Sequence, residues 1–390
     1  MISRLAVPHF EGSASRQAHA DIPANTFERE AGREGFFGAA THFYHRNPPT
    51  AWTSINGPLR PRAFEPLANI VTASCPFDTE PIASNASVSI RVARIQTDMN
   101  HLVRNADGDQ LIFVHAGSAD WFSDYGHLQV STGDYIVIPR GCSWRFAGAG
   151  ELDLLMVEAT GGGYALPERG LVGRHAPFDP GVLDIPKIDE VFSSQDPRRH
   201  WKLVVKRANE YSELNYSYDP LDVIGWKGDL YPVRLNVKDI RAVVSDRLHL
   251  PPSVRTTFVA PRFVVCSLIP RPLETDPGAM KLPFFHSNDD FDEVIFQHSG
   301  KHGSRGAGIG AGCMTYHPSG LIHGPHPSVL PHMFNHPASY VSSYSVMIDT
   351  RDPLVVSKLA GACEMADYAN SWKDSVKFAP DANELSRGQP

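Results

Sequence analysis

Cysteine is scarce in this sequence, with five residues among 390 and no pair in a CxxC pattern. An odd number of scattered thiols does not suit a disulfide framework and is typical of reduced cysteines in a cytosolic protein. The amino terminus also lacks the long apolar stretch of a secretory signal, so we expect a cytoplasmic protein. The cysteines are Cys75, Cys142, Cys266, Cys313 and Cys363.

Long apolar runs and an excess of positive charge are absent too. No segment approaches the roughly 20 apolar residues that a membrane-spanning helix needs, so we expect no membrane partner. The formal net charge of -7 gives no sign of a basic surface for nucleic acid. No GxGxxG, P-loop or nucleophile-elbow pattern stands out, which leaves dinucleotide, ATP and serine-hydrolase functions without support.

Short β-type segments are abundant, and proline (32) and glycine (31) are frequent between them. Strands of this length with frequent turn signals are typical of sandwiches and barrels. A chain of 390 residues then predicts one large all-β unit or two domains. The main helical candidate is 364–377. The clearest strand candidates are 87–95, 110–115, 135–139, 154–158, 262–269, 293–297 and 342–348.

The chain contains a degenerate internal repeat. In its second half a Glu precedes a Gly by seven residues, and a Gly-x5-Pro-x-Gly-x2-His block follows. The first half keeps this spacing and its turn residues, with Gln and Trp in place of Glu and His. Because Gly and Pro fix turn conformations, we predict two similar barrels, of which only the C-terminal one has a metal site. The equivalent pairs are His286 with Val103, Asn288 with Asn105, Glu293 with Gln110, and His323 with Trp144.

His286, Glu293 and His323 are the predicted metal ligands. They stand on turns and strand ends that β-hairpin geometry can bring together. Two imidazoles and one carboxylate leave coordination positions open, and this ligand set suits non-haem Fe(II) in O2 chemistry.

The repeated blocks resemble the two cupin motifs, so the chain resembles a bicupin. The second half is more specific and resembles the homogentisate 1,2-dioxygenase family in its shorter bacterial form. The resemblance follows most of the chain in order and is dense from about 284 to 327. It is carried by 43–46, 219–229, 284–288, 292–296, 304–309, 315–327 and 347–354.

The resemblance and the repeat together imply an all-β-dominated fold with two cupin-type, jelly-roll barrels. We expect an N-terminal arm over 1–60, a degenerate, metal-free barrel over 61–200, and a barrel with the iron site over 201–390. A short C-terminal helix completes the expected fold.

The function that the resemblance implies is Fe(II)-dependent cleavage of homogentisate (2,5-dihydroxyphenylacetate) by O2. The product is maleylacetoacetate, in tyrosine and phenylalanine catabolism, and the family implies a homo-oligomer. Alternatives are ring cleavage of a related para-dihydroxylated aromatic, a non-catalytic metal-binding bicupin, and another cupin enzyme such as a decarboxylase or isomerase. Those last enzymes generally use four protein ligands, whereas Asn288 stands here where many cupins have a second His.

Five further residues are candidates for the site. By resemblance, His317 and His249 are the candidate catalytic bases, and His317 is alternatively a residue that orients a metal ligand. Asn288, Arg305 and His302 are the candidate substrate contacts. An Arg at 305 suits a carboxylate because its guanidinium donates two parallel hydrogen bonds.

Two departures from the animal-type enzymes concern the part of the pocket that holds the substrate side chain. Phe284 stands where those enzymes have a Tyr, and the segment 299–302 replaces their Arg-Gly-His-Tyr run. The resemblance therefore supports the family's iron ligands in this sequence more strongly than it supports the family's substrate.

Overall fold

A computed structural model describes residues 9–68, 72–148, 150–196, 200–281, 284–300, 308–330 and 338–372, and its regular structure is mainly β. The strands are β1 Phe27–Gly32, β2 Ala40–His45, β3 Arg62–Phe64, β4 Ala83–Ser84, β5 Val88–Ile95, β6 Leu102–Asn105, β7 Asp109–Ala116, β8 Ser118–Ser123, β9 Gly126–Ser131, β10 Asp134–Ile138, β11 Ser143–Ala147, β12 Leu152–Ala159, β13 Trp201–Arg207, β14 Glu210–Tyr216, β15 Val233–Asn236, β16 Thr256–Ala260, β17 Phe263–Leu268, β18 Arg271–Pro272, β19 Phe285–Asn288, β20 Asp292–Ser299, β21 Met314–His317, β22 Tyr340–Val341, β23 Tyr344–Thr350 and β24 Val355–Val356. The α-helices are α1 Glu190–Ser193 and α2 Lys358–Ala362. Short 3-10 helices lie at Pro76–Asp78, Gly170–Val172, Pro180–Val182, Val237–Asp239, Pro252–Arg255 and Pro327–Val329.

The first barrel is formed by two sheets with strand orders β15-β10-β7-β12-β5-β4-β24 and β14-β13-β6-β11-β8-β9. Their facing sides enclose an apolar core in which Trp121, Trp144 and Phe146 are fully buried. The Trp144 indole donates a hydrogen bond to Gln110 Oε1 at 3.2 Å. This contact pairs the Gln110 carbonyl oxygen, and apolar side chains fill the interior around it.

The second barrel is formed by the sheet β16-β17-β23-β20-β21-β3 and by a smaller sheet, β19-β1-β2. The arm supplies two of the three strands in the smaller sheet. Strand β1 runs parallel to β19, and this register places Glu30 opposite His286. The arm is therefore part of the wall of the second barrel. The predicted all-β fold with two barrels is confirmed.

Strand pairing crosses both predicted domain boundaries. Strand β13, which begins at Trp201, pairs with β6 of the first barrel, and β15 pairs with β10. Strands β3 and β24 also pair with sheets of the other half of the chain. The two barrels thus exchange strands across residue 200, and strand β1 of the arm pairs with the second barrel. The domain boundaries at residues 60 and 200 remain predictions.

A shared apolar core joins the two barrels. Along β7, Ile112 and Val114 pack inside the first barrel, whereas Leu111 and Phe113 pack with residues of the second. This alternation follows from the two-residue period of a strand. Both faces of β7 are therefore buried, and the barrels share one continuous hydrophobic contact.

Replacing Phe113 with alanine is expected to lower the free energy of unfolding by about 3–5 kcal/mol. Its ring is fully buried and lies 4.8 Å from the Tyr135 ring and 4.9 Å from the His298 ring. Urea unfolding followed by fluorescence measures the change. The matched control is Phe37→Ala, since Phe37 is 60% exposed and its loss is expected to change stability by less than about 0.5 kcal/mol. Equal effects at both positions would contradict a shared core at Phe113.

The C-terminal helix comes earlier in the chain than predicted. Helix α2 covers Lys358–Ala362, and Ser357 caps it by accepting a hydrogen bond from the Ala360 amide at 3.2 Å. The α-helix predicted over 364–377 is wrong for 364–372, because Glu364 bridges to Phe64, residues 366–368 form a turn and residues 369–372 form a 3-10 helix. Residues 373–377 lie outside the described part of the chain.

Candidate metal centre

Four buried polar side chains meet inside the second barrel. His286 lies on β19, Glu293 on β20, and His317 is the last residue of β21. His323 follows a turn at Gly320 and is held against His286 by two backbone hydrogen bonds, of 2.8 and 2.9 Å. The two sheets of the barrel thus each contribute to the cluster.

Backbone carbonyls fix the orientation of two imidazoles. His286 Nδ1 lies 3.1 Å from the Phe284 carbonyl oxygen, and His323 Nδ1 lies 3.0 Å from that of Leu321. Because a carbonyl only accepts, each Nδ1 carries a proton, so Nε2 is the ring nitrogen that can bind a metal ion. The Nε2 atoms lie 3.8 and 3.6 Å from the carboxylate oxygens of Glu293.

This donor set fits a divalent metal ion. His286, Glu293 and His323 each offer one ligand atom, and the three atoms lie within 4.8 Å of one another. His286 Nε2 is buried and has no hydrogen-bond partner, and a metal ion would use its lone pair. A backbone carbonyl on the far nitrogen is also the usual arrangement behind a metal-bound histidine.

His317 contacts the carboxylate directly. Its Nδ1 lies 2.9 Å from Glu293 Oε1, and its ring stacks on that of His323 with centroids 4.8 Å apart. On its other side, Nε2 lies 3.4 Å from the Tyr368 hydroxyl. The side chain is fully buried. This geometry lets His317 hold Glu293 in one orientation.

The centre combines one ionised and one neutral carboxyl group. Burial raises the pKa of Glu293, but the charge of His323 and the close contacts of the surrounding imidazoles outweigh it, and the pKa lies well below its usual range. Asp349 lies opposite Glu293 on β23. Burial and the nearby Glu293 charge raise the pKa of Asp349 well above its usual range. The protein therefore offers a single negative charge, from Glu293, to an ion here.

Aromatic side chains close one side of the centre. The Phe36 ring lies 5.2 Å from the His286 ring, and the Phe284 ring lies 5.3 Å from it. Phe284 in turn stacks on His19 at 4.2 Å and has His249 at 6.0 Å. This apolar wall keeps water from the adjacent imidazole.

The structure places the other predicted site residues at different distances from the centre. His249 lies beside the Phe284 ring, with ring centroids 6.0 Å apart, and burial lowers its pKa to about 4, although Glu274 acts in the opposite direction. Asn288 is buried two residues beyond His286, and its Oδ1 has no hydrogen-bond partner. His302 and Arg305 lie outside the described residues.

The equivalent positions of the first barrel hold no comparable donors. Val103 and Trp144 belong to its apolar core. The side-chain oxygen of Gln110 accepts a hydrogen bond from the Trp144 indole. Among the described residues, no group of His, Cys, Asp or Glu in the first barrel is placed to hold a metal ion.

Comparison with known proteins identifies the family. A family model described as "Homogentisate 1,2-dioxygenase N-terminal" matches residues 51–237. A protein of Saccharolobus solfataricus named as a candidate dioxygenase is 31% identical over 366 residues, which cover 89% of this chain and 93% of that protein. The chain belongs to the homogentisate 1,2-dioxygenase family. This is a family of dioxygenases.

Named homogentisate 1,2-dioxygenases are more distant. Those of Sinorhizobium fredii and Rhodopseudomonas palustris are 26% identical over 285 and 324 residues, which cover 69% and 78% of this chain. The matched regions span 61% and 70% of those relatives. Among solved structures, a cupin barrel protein from Leptotrichia buccalis is similar over 74% of this chain and 96% of that chain, at 10% identity and a TM-score of 0.32.

Three residues near the centre were not predicted from the sequence. Asp349 had one available signal, because it is the single acidic residue in the otherwise uncharged strand 344–350. Phe36 and Tyr368 had none, since each reaches the centre from a segment far away in the chain.

Proposed function

We propose that this protein is a ring-cleaving dioxygenase that holds Fe(II) with His286, Glu293 and His323. The preferred substrate is homogentisate, opened by O2 to maleylacetoacetate in tyrosine and phenylalanine catabolism. The observation that carries the proposal is the orientation of the two imidazoles, whose Nδ1 protons face backbone carbonyls and whose Nε2 atoms face Glu293.

The ligand count favours oxygen chemistry over a closed structural site. Three protein ligands on one side leave positions for a substrate oxygen and for O2, whereas a structural site is commonly filled by four protein ligands. Fe(II) bound here would bring the substrate and O2 together and pass electrons from the aromatic ring, which is oxidised, to O2. Asn288 follows His286 on β19, and we propose that its free Oδ1 contacts the bound substrate.

The protein's own residues would bind and orient the substrate. With one negative charge from Glu293 and two positive charges on the ion, the centre carries a net positive charge that favours a deprotonated hydroxyl. His249 is neutral at neutral pH because its pKa is about 4, and we propose it as the group that accepts a hydroxyl proton. The Phe284 and Phe36 rings would pack against the aromatic ring of the substrate and exclude water.

One observation favours a second candidate substrate. Phe284 replaces the Tyr of the animal-type enzymes, and its ring stacks on His19. It offers no hydroxyl to a carboxylate side chain. A para-dihydroxylated aromatic with a different side chain is therefore the alternative substrate.

We propose further that the protein acts in the cytoplasm as a homo-oligomer. Within the described residues, no helix is both long enough and apolar enough to cross a membrane.

The test is O2 uptake by protein loaded anaerobically with Fe(II), offered homogentisate, gentisate and unsubstituted hydroquinone in parallel. We expect uptake with homogentisate at least about tenfold faster than with the other two, because a site that pairs a substrate group discriminates by 1.4 kcal/mol or more. Absorbance of the ring-opened product is followed together with O2. Faster uptake with gentisate or hydroquinone would support ring cleavage by O2 and show that homogentisate is not the preferred substrate. No uptake with any of them, at one iron per chain, would contradict the proposed function.

A further inference from the structure

A second His and Glu cluster lies on the arm, outside the centre described above. In the β1–β2 hairpin, Glu28 lies opposite Tyr44 and Glu30 lies opposite His42. The two-residue period of the strands puts these four side chains on one face of the hairpin. His19, from the segment before β1, covers that face.

Both imidazoles lie between the two carboxylates. On one side, Nδ1 of His19 and Nδ1 of His42 lie 3.0 and 3.1 Å from the carboxylate oxygens of Glu28. On the other side, their Nε2 atoms lie 3.2 and 3.6 Å from Glu30 Oε2. Each ring therefore presents one nitrogen to each carboxylate.

The geometry points to a second divalent-cation site, with His19, Glu28 and His42 as its ligands. Each offers one ligand atom, and the three atoms lie within 4.8 Å of one another. Nitrogen–oxygen separations of 3.0 and 3.1 Å are close to the roughly 3.3 Å between ligand atoms of a tetrahedral ion with bonds of about 2.0–2.1 Å.

The surroundings of these residues match those of metal ligands. Glu30 would accept hydrogen bonds from the far nitrogens of both rings, as an outer carboxylate does behind metal-bound histidines. Glu28 is itself held by the His19 amide at 3.1 Å and by the Tyr44 hydroxyl at 3.3 Å. A ligating carboxylate is commonly supported by such bonds.

Charge and access also suit a cation. Glu28 is fully buried and the Glu30 side chain is 9% exposed, so two carboxylates are held together with little water. Such a pair needs compensating positive charge, which a divalent ion would supply. The His42 side chain is 23% exposed, which gives an ion a route to the cluster.

The donor set selects the kind of ion. Imidazole nitrogens with a carboxylate suit zinc and similar first-row transition metals, whereas calcium and magnesium prefer sites built from oxygen. The position suggests a structural consequence: Glu30 lies opposite His286 in the β1–β19 pair, and His19 stacks on Phe284. A bound ion would thus fasten the arm to the strand that carries the first centre.

The test is the amount of Zn(II) bound after equilibrium dialysis of the full-length, metal-free protein, measured by mass spectrometry of the metal. Counting one ion for each site, we expect about two ions per chain in the unchanged protein, about one in His42→Ala, about one in His323→Ala and about none in the double variant. His45→Ala is the matched control and should keep about two ions, since His45 lies on the opposite face of β2 and contacts Arg29.

The individual outcomes separate the two sites. Retention of the His323-dependent ion in His42→Ala shows that the variant is folded. Loss of binding in His42→Ala but not in His323→Ala would support the site at His19, Glu28 and His42. It would also contradict metal binding by the first centre. If the unchanged protein and His42→Ala bind equal amounts, and all binding is lost in His323→Ala, the arm cluster is an ion-pair network only and the inference is overturned.

Discussion

Replacing His323 with alanine is expected to remove both the metal ion of the first centre and the ring-cleaving activity. The imidazole is 3% exposed and its Nε2 faces Glu293 at 3.6 Å, and an alanine at this position offers no ligand atom. A metal ion contributes several kcal/mol to such a reaction, which corresponds to a loss of about three or more orders of magnitude in rate. Glu293→Gln is expected to act in the same way, because it removes the single negative charge.

The measurement pairs iron content with O2 uptake in the presence of excess Fe(II), and thermal unfolding reports on the fold. The matched control is His326→Gln. His326 lies three residues further along, and its Nδ1 contacts Ser328 rather than the cluster. We expect this control to keep iron and activity. An iron-replete and active His323→Ala protein would show that this residue is not a ligand.

The parts of this structure that depend on local sequence were predictable. The repeat-equivalent glycines Gly133 and Gly312 have φ values of 89° and 83°, in the left-handed region that favours glycine. The turns they form recur in both barrels for that reason, and the spacing places the three candidate ligands next to these turns. Each strand predicted from its β-type sequence is also present, with ends that differ by one or two residues.

The parts that depend on distant contacts were not predictable. Strand β1 pairs with β19 across more than two hundred residues, and nothing in either strand specifies that partner. The same holds for β3, which joins the sheet of the metal centre through β21. Strand partners are chosen by complementary surfaces in the folded molecule, and a single sequence shows only the period of each strand. The sequence therefore predicted only an N-terminal arm over 1–60, whereas in the structure strands β1 and β2 of this arm form part of the wall of the second barrel.

Replacing His317 with alanine is expected to weaken iron binding by about 10–100-fold, as is usual when the partner of a metal ligand is lost. The reason is its contact with the carboxylate: Nδ1 lies 2.9 Å from Glu293 Oε1, and without it that buried oxygen loses a hydrogen bond. At saturating Fe(II) the variant should then recover most of its turnover. His317 acts in this interpretation as a positioning residue, and the proton acceptor for the substrate is His249.

Iron titration and O2 uptake at saturating Fe(II), each measured across pH, distinguish the two roles. A positioning role predicts a change in the iron dissociation constant with the pH profile of turnover preserved. Tyr368→Phe is the graded comparison, because it removes only the hydroxyl 3.4 Å from His317 Nε2 and should weaken iron binding less than His317→Ala does. If His317→Ala instead binds iron normally and loses turnover by about 100-fold or more, with one limb of the pH profile missing, His317 is the general base. That result would reassign the proton transfer from His249 to the residue that contacts Glu293.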